Sequence, residues 1–325
     1  MIFNIDPHIH LGGCISPLFV WEIVQKNGLK HLAESYEDVC LQMKFSDNEP
    51  RDFHRFLDKF RILDEIHWTE ALIDSSIKSI CEYLEFYDVH YAWMDFSINK
   101  YMSIGWHKYQ AIKFIYDAFE RHRPGGVGLI LSIKYESARS SQKQYAKLIE
   151  SSADYLLGID LVGDEAYFDS DFYKPIFADW KNAGKITRAH VGESQTINNV
   201  FDSILNLGVT NIAHGIKIID DPNLVKIAIE NDISFDVSIT SNYVTGVLTD
   251  MSLHPITAML DSGLKLTLGS DDPIQCDTSL PNEFEVAKSL GVTEFQCDIL
   301  RQNALENTLR ALHAQNRDTK LFKMF

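Results

Sequence analysis

Apolar and polar positions along the chain follow two alternating periods. Short runs rich in β-branched and other apolar residues fall at 2–10 (IFNIDPHIH), 89–98 (VHYAWMDFSI), 127–133 (VGLILSI) and 155–162 (YLLGIDLV). Four more follow at 185–191 (KITRAHV), 209–215 (VTNIAHG), 233–239 (ISFDVSI) and 264–270 (LKLTLGS). Their length and boundaries predict eight β-strands. Between them the spacing lengthens to that of helices. In IDDPNLVKIAIEND, Asp220 or Asp221 supplies a cap, Pro222 suits the first turn, and Leu224, Ile227 and Ala228 share a face. LHPITAMLDSG reads the same way, with Gly263 as its stop.

Strands that alternate with helices pair in parallel, and eight of them predict a closed (β/α)₈ TIM barrel. The barrel carries a long, mostly helical insertion at 15–87, after the first strand, and a helical tail at 281–315. An open doubly wound sheet competes with it, but that fold is marked by GxGxxG after the first strand, where this chain has HLGGC. No Pro, Gly or Ser-rich linker, repeat or low-complexity tract interrupts the pattern, so residues 1–325 are expected to form a single domain.

Composition narrows the classes of partner. Thirty Lys and Arg stand against 46 Asp and Glu, a formal charge of −16, which repels phosphate backbones and argues against nucleic acid. No apolar run reaches membrane-spanning length, and MIFNIDPHIH has none of the features of a secretion signal. The five cysteines are scattered, odd in number and without a CxxC pair, which fits a reduced, cytoplasmic protein rather than a disulfide framework.

Active sites of such barrels collect at the C-terminal ends of the strands, and that is where the unusual residues fall. His8 and His10 end the first strand, two apart and therefore on one face. His190 ends the fifth strand, with Glu193 three residues on; His214 ends the sixth; Asp271 and Asp272 end the eighth. Taken singly, HxH is a common pattern, a strand-end His is usually a hydrogen-bonded core or loop residue, and DD before Pro is usually a turn or cap. Taken jointly, three histidines and a carboxylate from three strand ends form the donor set of a catalytic zinc with room for water. HExxH and the HxE/PCxxC pair of small nucleobase deaminases are both missing from the sequence.

The motifs HIHLGG, GIDLVGDE, HVGES, IAHGIKI, SNYVTG and LGSDDP occur in the order and at about the spacing found in the adenosine deaminase family of metal-dependent amidohydrolases, which the chain resembles from residue 6 to about 310. The resemblance implies one Zn²⁺ per chain, with His8, His10, His190 and Asp271 as ligands. It implies that His214 orients the zinc-bound water and takes its proton, and that Glu193 protonates the purine ring. Gly163 would reach a second ring nitrogen through its backbone N–H, and Asp272 would bond the imidazole part. Asp271 also counts among the catalytic residues and His10 among those facing substrate. The implied activity is hydrolytic deamination of an aminopurine or its nucleoside, a small-molecule substrate. The same chemistry on a pterin-like heterocycle, and a catalytically silent ligand-binding relative, are the alternatives.

One departure bears on substrate. The family carries an aspartate for the ribose 5′-hydroxyl two positions after the second His; this chain has Gly12, followed by Gly13. Either another polar group replaces it or the substrate has no 5′-hydroxyl, and both readings stay open. Lys134 reads as a surface or structural lysine and His254 as a helix-start residue. His31, His54, His67, His90, His107, His122 and His313 read as structural or exposed. Trp68, Trp93 and Trp106 could line a pocket, although core packing is their commoner use.

Overall fold

The computed structural model describes residues 3–46, 48–98, 105–137, 147–148, 150–193 and 196–324. Ile2 of the predicted first strand and Ser194 of the HVGES motif lie outside them. Eight strands form one parallel sheet in sequential order: β1 Ile5–His10, β2 Tyr91–Phe96, β3 Val127–Lys134, β4 Leu156–Val162, β5 Ile186–Val191, β6 Asn211–His214, β7 Ser234–Val237 and β8 Lys265–Leu268. Helices cover the outside, so the strands are buried on both faces, which explains their near-continuous apolar runs. The architecture is the (β/α)₈ barrel, with each predicted strand in place.

The ring closes at a thin seam. Past the end of β8 a single bridge joins Ile9 to Asp271; His10 N donates to Asp271 O (2.8 Å) and Asp271 N to His8 O (2.7 Å). A Cβ on Gly269 would fall 2.7 Å from the Cβ of His8, so a glycine is needed for β1 and β8 to approach this closely. The closure that completes the sheet thereby sets two histidines beside an aspartate.

Alternation decides what points inward. Asp6, His8 and His10 share one face of β1, and Arg188 and His190 one face of β5. Asp95, Asp160 and Asp236 take the matching parity on β2, β4 and β7, with Asp160 in register with Arg188.

The predicted insertion contains helices Pro17–Lys26, Tyr36–Met43, Phe53–Asp58, Arg61–Asp64 and Glu70–Phe86. The predicted tail forms helices Leu280–Ser289 and Glu294–Ala314. The longer of these closes the N-terminal end of the barrel: Trp93 donates to Thr308 Oγ1 (2.9 Å) and Asn307 donates to Ser234 Oγ (2.8 Å). Trp68 is likewise core, bonded to Leu63 O (2.9 Å), and Trp106 bonds Glu70 (3.1 Å). None of the three lines the main cavity. No helix among the described residues is long and apolar enough to cross a membrane, and all five cysteines are free.

Candidate active site

The four proposed ligands converge. His8 Nε2 lies 3.0 Å from His190 Nε2 and 3.4 Å from Asp271 Oδ1, and His10 Nε2 lies 3.1 Å from that same oxygen. Each of the four residues offers a donor atom within 4.8 Å of the others. These separations are close to the ~3.3 Å edge of a tetrahedron with zinc–ligand bonds of about 2.0–2.1 Å.

The tautomers show why these atoms need a cation. His8 Nδ1 faces the backbone carbonyl of Asp236 (3.3 Å), which can only accept, so the ring hydrogen sits on Nδ1. His190 Nδ1 faces Asp160 Oδ1 (3.1 Å). Burial works against ionisation of Asp160, but Arg188 and His190 outweigh it and hold this carboxyl well below its ordinary range, so His190 also keeps its hydrogen on Nδ1. Both rings therefore turn Nε2 toward the other, 3.0 Å apart. A divalent ion between them would be coordinated by both nitrogens. His10 carries the same signal. Although burial opposes its charge, Asp272 and Asp271 push its pKa up to about 10, and carboxylates that hold a proton so firmly suit a metal cation equally well.

A buried ion network underlies the ligands. Arg188 is fully buried and donates to Asp160 (2.6 Å), Asp236 (3.2 Å), Pro7 O (2.6 Å) and Asp95. Asp236 also accepts from Thr267 (2.7 Å) and Asn211 (3.2 Å). One guanidinium cannot neutralise three carboxylates, and burial raises Asp236 and pushes Asp95 up to about 7, against the pull of Arg188.

Beside the ligands a second relay orients the acid–base groups. Ile256 N donates to His254 Nδ1 (3.2 Å), so the neutral His254 ring carries its hydrogen on Nε2 and donates to Asn242 Oδ1 (3.2 Å). That fixes the Asn242 amide, whose nitrogen donates to Glu193 Oε1 (3.2 Å) and His214 Nδ1 (3.1 Å). Thr245 Oγ1 lies 3.1 Å from Glu193 Oε1 and 2.8 Å from Ser241 O, and its single hydrogen serves one of them. Oε1 thus receives the Asn242 amide, while Oε2 lies 3.5 Å from His214 Nε2. Burial, followed by Asp271 and Glu165, pushes Glu193 up to about 7. Burial lowers His214. His214 and Asp271 are held at φ 62° and 60°, a region costly for residues with a Cβ and concentrated at functional sites.

The adjacent aspartates diverge. Asp271 is held well below the carboxylate range, its burial outweighed by His8 and His10, whereas burial and the neighbouring Asp271 lift Asp272 well above it. Asp272 Oδ1 is buried without a protein partner. Gly13 makes room for it: a Cβ there would lie 2.2 Å from that oxygen and 2.6 Å from the Asp272 Cα.

His10, His190, Glu193, His214, Asp271 and Asp272 all line one cavity of about 610 Å³, with His8 buried beneath, a size within the ~300–1,000 Å³ usual for small-molecule sites. Gly163 joins them at the end of β4 with φ 104°, beside the Glu136 carboxylate, and Lys134 lines the same cavity from the end of β3.

The profile of the adenosine deaminase family matches residues 4–320. The chain belongs to the adenosine deaminase family. Within it, the chain is 27% identical over 314 residues to the adenosine deaminase of Vibrio parahaemolyticus, covering 93% of this chain and 91% of that one. An adenine deaminase from Arthrobacter aurescens shares the fold at a TM-score of 0.84 and 19% identity, covering 97% and 98% of the two chains. An amidohydrolase from Burkholderia ambifaria, solved with bound Zn, superposes at 0.82 with 21% identity over 96% of this chain and 89% of that one. Membership in the adenosine deaminase family makes this chain a hydrolytic deaminase of the metal-dependent amidohydrolase type, acting on aminopurines.

Sequence reasoning singled out the ligand and acid–base residues of the cavity but neither its apolar lining nor what holds these groups. Asp160, Arg188, Asp95 and Asp236 left a visible signal, a charge at inward parity in the middle of an apolar strand. Asn242 and Thr245 sit within SNYVTG, a motif noted without a role for either residue. His254 does stand at a helix start, as expected, just before the N-cap Pro255, and its Nε2 steers Asn242.

Proposed function

We propose that the chain binds one zinc through His8, His10, His190 and Asp271 and replaces the amino group of an aminopurine, or of its nucleoside, by oxygen, releasing ammonia. The observation that carries this reading is the convergence of His8, His10, His190 and Asp271, with donor atoms within 4.8 Å of one another, next to Glu193, whose carboxyl burial pushes up to about 7. Zinc, when bound, supplies a water acidic enough to attack at neutral pH, with a pKa of about 7.

The remaining work belongs to the chain. Glu193, protonated on Oε2, gives its proton to the ring nitrogen next to the amino-bearing carbon and so makes that carbon electrophilic. Protonated Asp272 donates from the cavity wall to a nitrogen of the five-membered ring, and the Gly163 N–H meets a further ring nitrogen. His214, with Nδ1 accepting from Asn242, presents an Nε2–H and orients the attacking water as a donor. His214 takes that water's proton at Nε2 once its own hydrogen has moved to Nδ1, and the proton passes to the departing amino group, which leaves as ammonia.

Ammonia release from adenosine, adenine, 5′-deoxyadenosine and pterins, measured alongside metal content, tests the proposal. The expected result is one equivalent of zinc, turnover of a purine member, loss of activity on chelation and recovery with zinc. Absence of stoichiometric transition metal under any loading, or release from pterins alone, overturns it.

A further inference from the structure

The acid of the proposed reaction is carried on a turn whose backbone groups are all tied. Past β5 the chain bends at Gly192, held at φ 70°, where a Cβ would collide with the Val200 side chain, so the position needs a glycine. Neighbouring segments hold the carbonyls: His190 O accepts from Tyr135 Oη (2.8 Å), Val191 O from Gly215 N (3.0 Å) and Gly192 O from Lys217 N (3.2 Å). The amides end on a single side chain. Gly192 N donates to Glu165 Oε2 (2.8 Å) and Glu193 N donates to Glu165 Oε1 (3.0 Å).

Glu165 belongs to a different loop, the short 3₁₀ turn Glu165–Tyr167 that follows β4, and it is buried. Its own place is fixed by Asn199, whose amide lies against both Glu165 O (3.2 Å) and Glu165 Oε2 (3.3 Å). The residue type fits the task. Two successive backbone N–H groups form a concavity for an anion, and a carboxylate offers one oxygen to each, whereas a glutamine would set its own NH₂ against one of them. Asn242 and Thr245 lie against the carboxyl end of Glu193, at Oε1; Glu165 holds the backbone from which that side chain starts.

Resting on the reading of Glu193 as the proton donor, we infer that Glu165 is a positioning residue: its two carboxylate oxygens clamp the Gly192 and Glu193 amides and thereby set the aim of the acid. A proton passes between groups about 2.6–3.2 Å apart, and a misplacement of about 1 Å costs on the order of 10² in rate. Glu165 also borders the cavity, so the test has to separate aiming the acid from touching the substrate.

Glu165→Ala removes the clamp and Glu165→Gln keeps its size with one acceptor fewer. Amide exchange at Gly192 and Glu193, followed by NMR, reads the clamp without turnover and should quicken by about tenfold or more in Glu165→Ala. With the aminopurine that the substrate panel selects, kcat should fall by about 10² in Glu165→Ala and by about tenfold in Glu165→Gln. KM, zinc content and calorimetric affinity for the 6-oxo product should stay within about threefold of the parent. Each protein is measured at its own pH optimum, since the Glu165 charge adds to burial and Asp271 in lifting Glu193. In a Glu193→Gln background, which has no proton to aim, adding Glu165→Gln should cost less than about twofold more. Unchanged exchange, unchanged kcat, equal losses in the two Glu193 backgrounds, or a loss carried by KM and product affinity overturns the inference. Loss of zinc or of the folded state in both variants does so too, because Glu165 would then serve the fold alone. Failure of the acid reading itself is seen separately, as a Glu193→Gln protein that turns over like its parent, and it takes this inference with it.

Discussion

The ion network beneath the ligands and the acid–base shelf beside them are made of similar residues used in opposite ways. Around Arg188 most polar groups are paired, with Asp95 Oδ1 the exception: the guanidinium meets three carboxylates and a backbone carbonyl, and Asp236 accepts from Thr267 and Asn211 as well. On the shelf the donors stop one atom short. The Asn242 amide and the Thr245 hydroxyl both lie against Oε1 of Glu193 and neither against Oε2, while Asp272 keeps an unpartnered oxygen. Saturation makes a rigid base, because removing any one partner leaves a buried charge exposed to low dielectric. Incompleteness makes a reagent, because the missing partner is the substrate.

Three substitutions and a pH profile press on this contrast. The largest effect is expected for Glu193→Gln, which keeps the shape and the Oε1 bonds but has no proton to give: kcat should fall by about 10²–10⁴ with metal content retained. In the intact protein the acid form does the work, so kcat/KM should be full below the raised Glu193 pKa of about 7 and fall as pH rises through it. Unchanged turnover in the variant would remove Glu193 from the chemistry.

Next comes Arg188→Met, expected to destabilise by about 3–5 kcal/mol in denaturant unfolding, since it strands the carboxylates that Arg188 now pairs. A variant that unfolds like the parent but has lost activity would show that the network acts on the reaction and not on the fold.

The smallest change touches the network residue whose side chain bonds a ligand histidine. Asp160→Asn should weaken zinc by about 10–100-fold in competition with a chelator, by releasing the His190 tautomer. Equal affinity would mean that the network has no say in the orientation of that ring.

Much of this was legible beforehand. The strands could be read because doubly covered parallel strands are apolar throughout and their boundaries are marked by polar or glycine-containing segments. His8, His10, His190, His214, Asp271 and Asp272 stood out because strand ends in an apolar run seldom carry such groups. The Arg188 network was not read, because a charge within a strand gains meaning only when register sets it opposite its partners, as Asp160 stands opposite Arg188. The apolar lining was hidden for a similar reason: Phe53, Phe56, Leu57 and Phe60 look like any amphipathic helical stretch until the insertion brings them to the cavity.

Local sequence was thus enough to determine the number of strands, the parity of each inward side chain and the identity of the groups brought to the barrel mouth, since all three depend on steps of one or two residues along the backbone. Only the tertiary structure decided which nitrogen of each imidazole is free and which carboxyl keeps its proton. Those choices depend on atoms from other strands, Asp236 O behind His8, Asp160 behind His190 and Asn242 behind His214, and a hydrogen-bond donor or a desolvated charge has no state of its own until its partner is in place.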